Sequence, residues 1–228
     1  MTKSVAERRW DRRTFIKQGA LAGASLAGLR PSHARKRAKH RRRRVSPGHR
    51  ARASAPNILT IIVDQLRTPV WMPAAAVASS VMPNLEALSA RSVSFAGHYT
   101  AANDCSPSRG VLLTGLYAHQ TGVMITGAGW LDPRFPTWGT LLRRMGYETA
   151  YYGKWHLNPN RDASLAQYGF SGGTYPSPNG SPGQGTVVDP TTTGQFIDWF
   201  EGHAGKAPWA TTVSFVNPHD IAWWHRYT

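Results

Sequence analysis

Asn57-Ile58-Leu59-Thr60-Ile61-Ile62-Val63-Asp64-Gln65 is the stretch that decides the fold class. From Ile58 to Val63 the residues are β-branched or apolar, without the alternation of a strand that has one wet face. Such a run predicts a strand buried in a parallel sheet. A carboxylate and an amide stand at its C-terminal end, where α/β sheets hold their ligands. Outward from this strand, helices are expected over 83–90, 108–116, 137–145 and 192–203, and strands over 92–95, 148–152 and 211–216. Pro83 suits a first helical turn. In 137–145, Leu141, Leu142 and Met145 fall on one side, and Gly146 suits the stop. Residues 171–190 are rich in Gly, Ser, Pro and Thr and are expected as a loop. Strands alternating with helices predict an α/β fold, a mostly parallel sheet flanked by helices.

The chain has 228 residues and a formal net charge of +15. That charge suggests nucleic acid, but its distribution does not. Residues 1–56 hold 17 Lys and Arg against two acids, whereas residues 57–228 hold 10 of each. The globular part therefore has no basic footprint, and no specific nucleic-acid partner is expected. One cysteine, Cys105, excludes an intrachain disulfide.

The tail divides in two. Residues 1–34 contain Asp11-Arg12-Arg13-Thr14-Phe15-Ile16-Lys17, then a Gly- and Ala-rich apolar stretch, then Ser32-His33-Ala34 with small residues at −3 and −1 of a cleavage site. The apolar stretch is too short for a bilayer, which needs about 20 residues. The order resembles a twin-arginine export signal, an address and not an anchor. It implies the twin-arginine translocase as partner and a periplasmic or extracellular destination. Residues 35–56 are dominated by Arg, Lys, His, Ser and Pro, too polar to fold, and are expected as a disordered basic linker. A polybasic arm for an anionic surface is the alternative. The catalytic part is expected over 57–228.

Four polar clusters follow the expected strands: Asp64-Gln65, Asp104-Cys105 with Arg109, Lys154-Trp155-His156, and Asn217-Pro218-His219-Asp220. Singly, Asp64 could cap a helix, Lys154 could be a solvated lysine and His219 a core histidine. Together they point to a functional site.

Two motifs carry a family resemblance. Cys105-Ser106-Pro107-Ser108-Arg109-Gly110-Val111-Leu112-Leu113-Thr114-Gly115 resembles the C-x-P-S-R-x-x-x-L-T-G signature of the formylglycine-dependent sulfatases. Gly146-Tyr147-Glu148-Thr149-Ala150-Tyr151-Tyr152-Gly153-Lys154-Trp155-His156 resembles their second signature, G-Y-x-T-x-x-x-G-K-W-H. Residues 57–64, Met82-Pro83-Asn84-Leu85 and Pro218-His219 fit the same pattern. The resemblance implies an alkaline phosphatase-like fold and hydrolysis of sulfate esters. It implies that a formylglycine-generating enzyme oxidises Cys105 to an aldehyde, which hydrates to a diol. One hydroxyl attacks the ester, and the second expels sulfate by collapse of the hemiacetal. A divalent metal, expected as Ca2+, would be held by Asp64, Gln65 and modified Cys105, since calcium favours oxygen ligands. Lys154 would bind the sulfate, His156 would act on the diol, and His219 would act at the ester oxygen or leaving group. Arg109, one helical turn after Cys105, is expected to reach back to it. Lys154 and His156 are expected to share one side of an extended stretch.

Two features depart from the usual pattern. Asp64-Gln65 replaces Asp-Asp, as in the choline-sulfatase and phosphonate-monoester-hydrolase branch, which leaves phosphonate and phosphate esters open as substrates. No D-N-G or D-H-G run follows His219 before Thr228, so the chain reads as the N-terminal portion of a longer enzyme, a fragment. An inactive fragment and a basic surface- or nucleic-acid-binding protein are the competing readings.

Overall fold

The structure, a computed structural model, describes residues 55–67, 80–206 and 208–226. The expected export signal and all but the last two residues of the linker lie outside the described residues. Among the described residues no helix is long and apolar enough to cross a membrane.

Among the described residues, three parallel strands make the sheet, in the order β1-β3-β2. They are β1 (Ile58–Val63), β2 (Glu148–Gly153) and β3 (Trp209–Phe215). In register, Val63 stands beside Phe215, and Gly153 beside Ser214. All three strands thus end at one edge, and the segments leaving them converge there. The helices are α1 (Pro83–Ser89), α2 (Cys105–Thr114), α3 (Ala118–Thr121), α4 (Trp138–Arg144) and α5 (Gln184–His203). Short 3-10 helices span Ala166–Tyr168 and His219–Arg226.

Tyr151, Trp155, Tyr168 and Phe170 form the aromatic centre of the core with Leu113, Val123, Leu131, Leu157 and Leu165. Tyr151 and Trp155 meet edge to face at 5.1 Å between ring centres. Rings in this arrangement add about 0.5–1.5 kcal/mol per pair to their area burial. Phe170 also presses on Gly139 of α4, where an added Cβ would lie 2.5 Å from the ring.

The structure corrects five expectations. The stretch read as a strand buried on both faces is an edge strand, with Leu59 44% and Ile61 53% exposed, because no described element covers that face. Residues 92–95 form no strand; Val93 and Phe95 are 81% and 79% exposed, and no described strand lies beside them to complete a ladder. Helix α2 starts at Cys105, not at Ser108, because Asp104 Oδ1 caps it by accepting from Cys105 N at 3.1 Å and the first turn tolerates Pro107. The expected loop ends early. Helix α5 starts at Gln184 and contains Pro190, its first turns anchored by Gly185 N and Asp189 to the segments around His219. Of the supposed inner face of α4, Leu142 is half-buried but Leu141 is 46% and the C-cap Met145 70% exposed, since Gly139 provides the close approach to the core.

Candidate active site

The end of β1 delivers Asp64, the end of β2 delivers Lys154, and the segment after β3 delivers His219. Helix α2 brings its N-terminus, with Cys105, to the same place. A cavity of about 660 Å³ is lined by Asp64, Gln65, Asp104, Cys105, Arg109 and His219, among others. Ligand atoms of Asp64, Cys105 and His219 lie within 4.8 Å of one another.

Asp64 is the electrostatic hub. Its Oδ2 pairs with Lys154 Nζ in a very short contact, and its Oδ1 lies 3.4 Å from Arg109 Nη2. Both cations are sequestered: the Lys154 side chain is 0% and that of Arg109 5% exposed. Burial pushes the Asp64 carboxyl up, but Arg109 and Lys154 together outweigh it and hold the group below its ordinary value. Lys154 Nζ also sits 3.8 Å from Cys105 Sγ.

Arg109 does not reach back to Cys105 as expected. Its Nη1 donates to Lys154 O at 2.5 Å, Ser214 Oγ at 3.0 Å and Tyr151 OH at 3.3 Å. These partners come from β2, β3 and the segment after β2, so the guanidinium ties strand ends together. A planar fork with several donors suits that task better than an ammonium would. Burial pushes the Tyr151 phenol up, so it stays neutral, and its OH donates to Lys154 O at 2.8 Å.

Lys154 and His156 do not lie on an extended stretch. Gly153 has φ +89° and His156 φ 59°, so the chain turns sharply between them. His156 lines a second cavity, of about 170 Å³, with Trp130, Asn158, Asn179 and others, and not the one containing Cys105. Its carbonyl accepts from Ser106 Oγ at 2.8 Å. Burial, with help from Lys154 and Arg109, pushes its imidazole down to about 4, so the ring is neutral at neutral pH. His219 is lowered by burial and then by Lys154. Its Nδ1 is buried without a hydrogen-bond partner among the described residues.

The residues read as metal ligands were Asp64, Gln65 and Cys105. Gln65, at φ 63°, lines the same cavity as Asp64 and Cys105, and His219 adds a further donor close to those two. A carboxylate already ionised and an amide on the same wall are oxygen donors of the kind a hard divalent cation takes. The donor set therefore fits such an ion, with Lys154 and Arg109 as its competitors for Asp64.

Three supporting residues escaped the sequence reading. Tyr151 and Ser214 look like ordinary strand residues; only their place at the strand ends, beside Arg109, gives them a role. Gly180, inside the expected loop, packs on both His219 and Lys154. Asp104, named in one cluster, also accepts from Thr126 N at 2.7 Å, and that bond is the leading cause of its lowered pKa.

The sulfatase family profile matches residues 56–227. The chain is 28% identical over 204 residues to a choline-sulfatase of Rhizobium meliloti (strain 1021), covering 72% of this chain and 38% of that protein. It is 35% identical over 114 residues to arylsulfatase G of Mus musculus, covering 47% and 21% respectively. The crystal structure of the phosphonate monoester hydrolase of Agrobacterium radiobacter superposes with TM-score 0.53 at 26% identity, over 72% of this chain and 41% of that one. The chain thus spans well under half the length of these relatives.

Proposed function

The chain belongs to the sulfatase family, and on that premise we propose that it forms part of an exported hydrolase that cleaves sulfate esters with formylglycine made from Cys105. The observation that carries this reading is the grouping of Cys105, Asp64, Arg109 and His219 around one cavity at the C-terminal ends of three parallel strands, with Lys154 buried directly behind Asp64 and Cys105.

Lys154 gives a buried positive charge 3.8 Å from the side chain that becomes the nucleophile, where an anionic ester group would sit. Arg109 holds the strand ends that carry Lys154 in place. Cys105 opens α2, whose N-terminal dipole favours negative charge there. His156, which lines the second cavity, is kept neutral by burial, so a ring nitrogen has a free lone pair, although its lowered pKa makes it a weak base. His219 is the group for the ester oxygen or leaving group. Asp64 and Gln65 would hold a divalent cation, taken as Ca2+, which when bound lowers the pKa of a hydroxyl beside it.

A phosphonate or phosphate ester is the second reading, favoured by the Asp64-Gln65 pair and by the likeness to a phosphonate monoester hydrolase. Residues 1–34 are proposed to direct export of the folded protein through the twin-arginine translocase, after a formylglycine-generating enzyme has acted.

Mass spectrometry of the peptide containing Cys105, from protein made beside the modifying enzyme, is expected to show an aldehyde in place of the thiol. Turnover of an aryl sulfate against a phosphonate monoester then ranks the two substrates, and Cys105→Ala is expected to abolish both. A fully alkylatable thiol in protein from the native cell overturns the proposal.

A further inference from the structure

Three consecutive backbone N–H groups, those of Asn179, Gly180 and Ser181, point at one atom. All donate to the side-chain oxygen of Gln184, at 2.9, 2.8 and 3.1 Å. Successive amides turned to one side form a concavity that needs an anion or an acceptor oxygen. Left without one, the buried Gly180 donor, and to a lesser degree the half-buried Asn179 donor, costs free energy. Gln184 is the first residue of α5, preceded by Gly183 at φ 68°. The next residue, Gly185, donates its N–H to Asp220 Oδ2 at 2.9 Å. One helix end therefore holds two segments, the 179–181 loop and the segment carrying His219.

The two segments meet at Gly180. This residue is buried, at φ +88°, and a Cβ built on it would lie 2.7 Å from His219 Cε1 and Nδ1 and 3.0 Å from Lys154 Nζ. Its carbonyl accepts from Trp223 Nε1 at 3.1 Å. Backbone packed so closely against two side chains limits where they can go. We propose that Gln184 is a positioning residue: its amide oxygen fixes the 179–181 loop, and through Gly180 that loop seats His219 and Lys154. The catalytic meaning of this role rests on the proposed function; the seating itself does not.

The test uses the full chain with Gln184→Leu, which removes the acceptor, and Gln184→Glu, which keeps one. In Gln184→Leu, hydrogen exchange at 179–181 is expected to quicken about tenfold or more while amides of the central sheet keep their wild-type exchange. The His219 ring signal in a proton–carbon NMR spectrum is expected to move. On aryl sulfate, kcat is expected to fall on the order of 10- to 100-fold while KM changes less than about threefold. Gln184→Glu is expected to restore wild-type exchange, His219 signal and kcat. Should the leucine variant unfold, Gln184→Ala carries the same comparison. Unchanged exchange or an unmoved His219 signal without the acceptor overturns the proposal, as does a glutamate variant that behaves like leucine. A wild-type chain that hydrolyses no ester counts against the proposed function, while exchange and the NMR signal still decide the role of Gln184.

Discussion

Asp64→Asn is the substitution whose cost the structure defines best. The carboxylate neutralises two cations with side chains 0% and 5% exposed, and is itself 13% exposed. Removing one member of a buried ion pair costs about 3–5 kcal/mol, because a charge is left without compensation. The two cations do not suffer equally. Arg109 keeps three other acceptors, on Lys154, Tyr151 and Ser214. Among the described residues, Lys154 Nζ keeps only the Cys105 sulfur, at 3.8 Å. The penalty therefore falls mainly on Lys154, and the low end, about 3 kcal/mol, is expected. For a domain of this size that corresponds to a drop of roughly 6–12 °C in melting temperature. The assay is thermal and urea unfolding followed by circular dichroism at pH 7.5, with a chelator present to exclude metal effects. The pH dependence has a fixed sign. The folded-state pKa of Asp64 lies below the ordinary 3.8, so its contribution is fully present above that value and is lost as pH falls through the folded value. The gap between wild type and Asp64→Asn is thus constant at neutral pH and closes only on strong acidification. Adding Lys154→Met to Asp64→Asn removes the stranded charge and is expected to recover most of the loss. A single variant as stable as wild type, or a double variant no better than the single, would refute the reasoning.

Other consequences are equally direct. NMR titration of His156 is expected to place its midpoint near 4, and acidification from about 6.5 to 4 is expected to destabilise the fold because the unfolded chain takes up that proton first; a midpoint at or above 6.5 rules out the burial argument. Gly139→Ala, whose new Cβ would lie 2.5 Å from the Phe170 ring, is expected to lose about 1–3 kcal/mol in urea unfolding. Cell fractionation of an Arg12→Lys, Arg13→Lys double variant is expected to find the protein retained in the cytoplasm, and unchanged export would contradict the twin-arginine reading. Calorimetric titration of the 228-residue chain with Ca2+ is expected to show weak binding, since Asp64, Gln65 and Cys105 fall short of the six to eight or so oxygens calcium takes; tight binding would show that the described donors suffice.

The strand and helix pattern was legible because it depends on local chemistry. Ile58 to Val63 is apolar and β-branched without interruption, and Thr137 opens α4 with a hydroxyl that accepts from Thr140 N at 3.2 Å. What the pattern could not supply is the position of each element in the sheet. A strand with a single hydroxyl residue, Thr60, reads as central, yet β3, with three buried hydroxyl residues at Thr211, Thr212 and Ser214, holds the centre and β1 an edge. The start of α5 was hidden for a related reason. Gly, Ser and Pro around 180–190 favour a loop, and only distant contacts, such as Asp189 accepting from Val216 N and Asn217 N at 2.7 and 2.9 Å, make a helix there worthwhile.

The site was legible as a set of residue types at strand ends, because parallel sheets gather those ends at one edge. The pairings within the set were not, since they depend on side-chain reach and burial. Asp64 was read as a metal ligand, and the structure shows it neutralising Lys154 and Arg109. These two uses make the same demand. A carboxylate must be deprotonated before it binds a metal, and the two buried cations hold Asp64 ionised below its ordinary pKa. They differ in what an incoming cation could displace. Arg109 is fastened by hydrogen bonds to three strand-end partners, whereas Lys154 is a point charge on a flexible stem with one carboxylate partner. Competition for Asp64 therefore falls on Lys154, the same side chain proposed to hold the substrate anion.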